Sequence, residues 1–258
     1  MSIAIRSRKE IDLMKSAGQI VGQILATLHE QAQVGMTTQD LADISDRLIQ
    51  EANAIPLFLG VPNPAAAFDF PSSLCVSVNE EIVHGLPGKR ILKDGDIVSV
   101  DCGVKLKGYC GDSATTLQIG NVAPKVKDLL KVTKECLGIA IDHAAPDVMW
   151  SHVAGLMQKH AEDGGYGVVK EYVGHGIGRQ LHEEPRIPNY VSSELKKNDL
   201  KLRKGMVIAV EPMLNMGSGS TKVLSDGWTV VTPDGKPSAH FEHTIAIVEG
   251  GVEVLTLL

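Results

Sequence analysis

One pattern occurs twice in this chain, and it constrains the fold more than any other feature. Residues 93–101 read KDGDIVSVD and residues 203–211 read RKGMVIAVE. Each is a basic residue, a turn glycine and an alternating apolar strand ending in a carboxylate, Asp101 or Glu211. A second strand follows each one, with Asp112 in GDSATTLQI and Glu242 in FEHTIAIV. Upstream, each half has a His-Gly pair, His84 in VHGLP and His175 in GHGIG. Two diverged copies of one unit place four carboxylates near a shared pseudo-symmetry axis. Four carboxylates in one pocket repel one another unless cations hold them, so the pattern predicts a two-metal site.

The flanking segments repeat as well. Ser7-Arg8-Lys9-Glu10 is a capping box, and a helix is predicted from there to about Ala32, burying Ile11, Met14, Gly18, Val21, Ile24, Leu25 and Leu28. Thr37 or Thr38 caps a second helix through about Glu51, with Leu41, Ile44, Leu48 and Ile49 inward. The second half predicts helices over 125–143 and 148–162, and aligning Gly35 with Asp147 superposes Leu41 on Val153. No proline- or serine-rich linker separates the halves. One catalytic domain over 1–258 is expected, with pseudo-repeats of approximately 1–120 and 121–258. Residues 57–73, with three prolines and an alanine run, are predicted to be a long surface loop. Residues 216–220 read as a flexible turn, and the basic run of Lys196, Lys197, Lys201, Arg203 and Lys204 as a solvated loop.

Composition narrows the function classes. With 43% hydrophobic residues in 258, the chain has enough apolar side chains for a sizeable core. A net charge of −6 gives no reason to expect nucleic acid or an anionic membrane, so no specific nucleic acid is expected as a partner. The first apolar run is too short for a signal peptide or a membrane span, so no membrane partner and a cytoplasmic location are expected. Cys75, Cys102, Cys110 and Cys136 form no CxxC pair, which argues against a zinc finger or a disulfide framework.

Asp101 and Asp112 lie on either side of a predicted hairpin turn at 105–108, a spacing that lets the two carboxylates face each other across paired strands. Two divalent ions about 3.5–4 Å apart can activate a shared water and polarise a carbonyl. His175 and His182 flank GIGRQL, and with four placed carboxylates they point to ligand and catalytic roles. Similar-looking motifs fail: His182-Glu183-Glu184-Pro185-Arg186 is not HExxH, and neither GxGxxG nor GxSxG occurs.

With Asp101, Asp112, His175, Glu211 and Glu242 in this order, the chain resembles the type I methionine aminopeptidases, in the bacterial-like form of the M24 metallopeptidases. The resemblance covers nearly the whole length. It is carried by SVNEEIVHGLP (77–87), DGDIVSVDCGV (94–104), GYCGDSATT (108–116), GHGIGRQLHEEP (174–185), GMVIAVEPM (205–213), DGWTV (226–230) and FEHTIAI (241–247). It implies an α+β pita-bread fold, a curved antiparallel sheet backed by helices with an internal pseudo-twofold repeat. It implies that Asp112 and Glu242 bridge two metals, that Asp101 completes one and that His175 with Glu211 completes the other. The implied activity is removal of an N-terminal methionine when the second residue is small. Glu211 would take the proton of the attacking water, His182 would steady the oxyanion and His84 would bond the substrate near the departing amide. Phe70, Cys75 and Trp228 would line the methionine pocket.

Peptide and nascent-chain N-termini are the implied partners. Transient ribosome association and a monomeric state are expectations of the same reading. The ligand set, one imidazole among four carboxylates, suits Mn, Fe, Co or Zn. The chain departs from the pattern in three places. The 57–73 loop is long and carries alanines where aromatic residues are expected. Asp147 replaces a turn glycine. His240 stands where a polar amide is expected, two residues before Glu242 and on the same strand face, either touching a metal-holding side chain from behind or facing the surface. The alternatives are a proline-specific peptidase on the same fold and a non-catalytic binding protein, which would be expected to lose metal ligands.

Overall fold

A computed structural model of the protein describes residues 3–257. Helix α1 (Arg8–Gln31) starts at the Ser7 capping box and buries the apolar positions named above. Helix α2 (Thr38–Glu51) is capped by Thr37. Leu41, Ala42, Ser45 and Ile49 face inward, while Ile44 and Leu48 are only half-buried at its flank. Helices α3 (Pro124–His143) and α4 (Trp150–Asp163) repeat the arrangement. α1 and α2 pack with the strands Leu74–Val78 and Ile97–Leu106 in one core, and α3 and α4 pack with the strands of the second half in another. No helix among the described residues is long and apolar enough to cross a membrane.

The internal repeat is visible in individual hydrogen bonds. The Gly35 N–H donates to Leu92 O and the Leu92 N–H to Met36 O; the Asp147 N–H donates to Leu202 O and the Leu202 N–H to Val148 O. Gly95 and Gly205 donate to Ile119 O and Ile247 O in matching turns. Gly35 and Asp147 both have positive φ, 93° and 70°, so the aspartate holds the left-handed conformation that glycine holds in the first half. Helix α4 begins at Trp150, later than the periodicity predicts, because Val148 and Met149 pair with 201–202 instead.

The strand Ile97–Leu106 pairs with Tyr109–Gln118 around the two-residue turn Lys107-Gly108. Its register sets Asp101 opposite Ala114 and Gly103 opposite Asp112. The two aspartates are therefore diagonal neighbours on one face, not directly opposed as their spacing suggested. In the second half, Val207–Val210 pairs with His243–Val248, and the same antiparallel register continues to Met213 opposite His240.

Residues 57–73 contain no regular element. Asn63 Nδ2 donates to Gly227 O and Trp228 Nε1 to Phe68 O, which ties the loop to the 226–228 turn. The predicted flexible turn at 216–220 is closely packed: a Cβ on Gly219 would lie 2.1 Å from Val168 O. The basic run begins in a short helix, α5 (Ser193–Lys197), capped by Ser192.

Candidate active site

Close backbone packing places His175. Its strand, Gly174–Gly176, is inserted between Glu183–Ile187 and Val207–Val210. A Cβ on Gly174 would meet Ala209 O at 2.3 Å, and one on Gly176 would meet Glu184 O at 2.2 Å, so only glycine fits on either side of the histidine. His175 Nδ1 donates to Gly176 O at 2.9 Å, which leaves the Nε2 lone pair free. That atom is 3.7 Å from Asp112 Oδ2 and 3.8 Å from Glu211 Oε1. Glu211 follows its strand directly, and the Glu242 N–H is held by Ala114 O at 2.9 Å, so both halves deliver carboxylates to one point. Gly103 makes room for them: a Cβ there would lie 3.1 Å from Asp112 Oδ1.

The electrostatics of this cluster call for cations. Burial pushes Asp101 up to about 7, and burial with the Asp101 charge pushes Glu211 up to about 8. Asp112 and Glu242 are held well above the carboxylate range by burial and by repulsion from the other carboxylates. Asp101 Oδ1, Asp112 Oδ1 and Glu242 Oε1 are buried without hydrogen-bond partners. Ligand atoms of Asp112, His175 and Glu242 lie within 4.8 Å of one another. Buried, unpartnered oxygens beside an imidazole with a free lone pair are the donor set that a divalent metal takes up. Burial also holds His175 and His84 neutral, both lowered to about 4, with the neighbouring His182 adding to the effect.

A cavity of about 110 Å³ opens from the carboxylates. Phe70, Cys75 and Trp228 form its apolar end, where the Phe70 and Trp228 rings meet edge-on at 5.1 Å. His84 and His182 line it as well, with the His182 ring 4.4 Å from that of His175. His84 has φ 57°, a left-handed backbone that a non-glycine residue adopts at some cost. The structure thus brings ten of the sequence-predicted residues to one cavity. The eleventh, His240, is buried beside Glu211, its Nε2 3.7 Å from Glu211 Oε2, so it is no surface residue.

Sequence reasoning missed Phe58, Val61 and Leu181, which also line the cavity. Leu181 precedes His182 in GRQLHEEP and could have been found by adjacency. Phe58 and Val61 lie in the aperiodic loop, where no periodicity distinguishes inward from outward residues. Tyr172, whose ring edge meets His84 at 5.5 Å, was also missed; it lies in the short irregular stretch before the strand Gly174–Gly176, which likewise has no period.

Metallopeptidase family M24 matches the chain over residues 12–249. The chain is 46% identical to methionine aminopeptidase 1 of Bacillus subtilis, over 98% of this chain and 99% of that protein. It is 44% identical to methionine aminopeptidase of Clostridium perfringens, over 99% of each. Among solved structures it is similar to methionine aminopeptidase from Thermotoga maritima, with a TM-score of 0.93, 41% identity and full coverage of both chains. X-Pro aminopeptidase from the same organism shares the fold, with a TM-score of 0.75 at 22% identity, over 98% of this chain and 62% of that one.

Proposed function

The chain belongs to metallopeptidase family M24, and from that membership we propose that it is a methionyl aminopeptidase. It hydrolyses the peptide bond after an N-terminal methionine when the second residue is small. Residues 1–258 act as one catalytic domain, a cytoplasmic monomer that works on peptide and nascent-chain N-termini, including chains emerging from the ribosome.

Asp101, Asp112, His175, Glu211 and Glu242 hold two divalent ions, Mn, Fe, Co or Zn. Bound there, such ions would supply the positive charge that activates a water and polarises the scissile carbonyl. Glu211 accepts the water proton on its carboxylate. His182, a neutral ring beside His175, donates an N–H to the developing oxyanion. His84, held against Tyr172, bonds the substrate near the departing amide. Phe58, Phe70, Cys75 and Trp228 receive the methionine side chain, whose flexible thioether suits a small pocket of ring and sulfur surfaces. A bulky second residue is refused because the amino group and the carbonyl are both held at the carboxylate cluster.

The observation that supports this reading is a cluster of buried carboxylates sharing one small cavity with an aromatic-lined end. The proline-specific relatives share the fold only. A non-catalytic role is disfavoured because every ligand and both flanking histidines remain. The test compares kcat/KM for Met-Ala-Ser, Met-Leu-Ser, Lys-Ala-Ser and Ala-Pro-Ser. Only the first is expected to be cleaved well, and a chelator is expected to abolish its cleavage. Fast cleavage of Ala-Pro-Ser with Met-Ala-Ser untouched transfers the assignment to the proline-specific enzymes.

A further inference from the structure

His240 stands in the second half where Asp112 stands in the first. The ladders pair Gly103 with Asp112 and Met213 with His240. The Thr244 hydroxyl clasps the Asp112 backbone, accepting from its N–H at 3.2 Å and donating to its carbonyl at 2.7 Å. The Thr116 hydroxyl clasps the His240 backbone in the same way, at 3.0 and 2.9 Å. Each clasp crosses from one half to the other. Backbones held alike aim their side chains at the same axis, so His240 enters the carboxylate cluster from the side opposite Asp112.

The His240 ring is 2% exposed, and its Nε2 has no hydrogen-bond partner. That atom faces Glu211 Oε2 at 3.7 Å, while the other oxygen, Oε1, faces His175 Nε2 at 3.8 Å. Glu211 is thus bracketed by two imidazoles. Glu211 is ionised once it serves as a metal ligand, and a lone pair on Nε2 would then repel the carboxylate oxygen, so in that state the proton of the neutral ring belongs on Nε2. The separation exceeds a hydrogen bond, and a small rotation of the carboxylate closes it.

We propose that His240 is a positioning residue for Glu211: its Nε2–H donates to Glu211 Oε2 and so reserves Oε1 for the metal held with His175. This rests on the reading of Glu211 as a ligand. Groups that orient a ligand in this way typically change metal affinity by about 10–100-fold when lost. A glutamine amide can supply the same donor, whereas alanine cannot.

The test needs no substrate. Zinc alone is titrated calorimetrically into metal-free wild type, His240→Ala and His240→Gln. His240→Ala is expected to bind zinc about 10–100-fold more weakly, with His240→Gln restoring most of the affinity. Long-range ¹H–¹⁵N spectra of histidine-labelled, zinc-loaded wild type are expected to show His240 protonated at Nε2. Protonation at Nδ1 with Nε2 on the metal overturns the proposal by making His240 a ligand. Equal affinity of wild type and His240→Ala also overturns it, as does His240→Gln binding no better than His240→Ala. Wild type that takes up no zinc instead fails the metal reading on which the proposal rests. If His240→Ala does not fold, the wild-type spectra and the glutamine variant still decide.

Discussion

Metal-free protein should lose stability as the pH rises from 6.5 to 8, a window in which ordinary carboxylate ion pairs do not titrate. A carboxyl with a raised folded-state pKa contributes stability that is full below its unfolded value and is lost as the pH climbs through the folded one. Glu211 is shifted from 4.5 to about 8 by burial and by Asp101, and Asp112 and Glu242 are shifted well upward. Below pH 6.5 the buried histidines oppose this trend. His84, His175 and His243 are lowered to about 4 and His240 to about 3, so their contribution is lost as the pH falls. Above 6.5 this opposing contribution fades as the unfolded-state histidines lose their remaining protons, and the four buried carboxyls outweigh it. A proton held only by the folded state makes stability fall by about 1.4 kcal/mol per pH unit. Glu211 alone therefore removes about 2 kcal/mol over this window, or about 4–8 °C of Tm for a chain of this size. Asp112 and Glu242 add to it. Metal-loaded protein should not follow, because its ligands are already deprotonated, so the gap in Tm between loaded and free protein should widen with pH. Differential scanning calorimetry of chelator-treated and reloaded protein at pH 6.5, 7.2 and 8 measures both curves. Glu211→Gln should flatten the metal-free slope. A metal-free Tm that is constant or rising from 6.5 to 8 would refute the reasoning.

Two further outcomes are expected. His182→Ala should keep its metal while kcat falls by about 10²–10³, whereas His175→Ala should weaken metal binding itself; metal titrations of both variants reverse the assignment if the losses are exchanged. Gly103→Ala sets a Cβ 3.0 Å from Phe58 Cε1 and 3.1 Å from Asp112 Oδ1, so it should lower metal affinity and raise KM with the fold retained by circular dichroism. An unchanged titration would show that the cluster accommodates the added methyl group.

Much of the site was legible because its donors belong to strands with strong local patterns. KDGDIVSVD and RKGMVIAVE each announce a turn, an alternating strand and a terminal carboxylate, and these are properties of a few adjacent residues. The Ser7 and Thr37 caps were readable for the same reason, since a capping box is contained in four residues. Repetition supplied the rest: two copies of the unit made the carboxylates converge before any long-range contact was known. The start of α4 was misplaced because Met149 forms a bridge with Lys201, a pairing partner that no local window contains.

The sequence by itself determined the doubled units and singled out Asp101, Asp112, His175, Glu211, Glu242, His84 and His182 as candidates. Tertiary structure decided how they meet. Register made Asp101 and Asp112 diagonal, and it made His240, not Glu242, the counterpart of Asp112 across the pseudo-twofold. It also decided that Phe58 and Val61, in a loop with no period, face the cavity while Phe68 nearby is exposed. The physical reason is one of range. Propensity, alternation and capping act between neighbours in the chain, whereas register, burial and the repulsion among four carboxylates arise only when distant segments share one space.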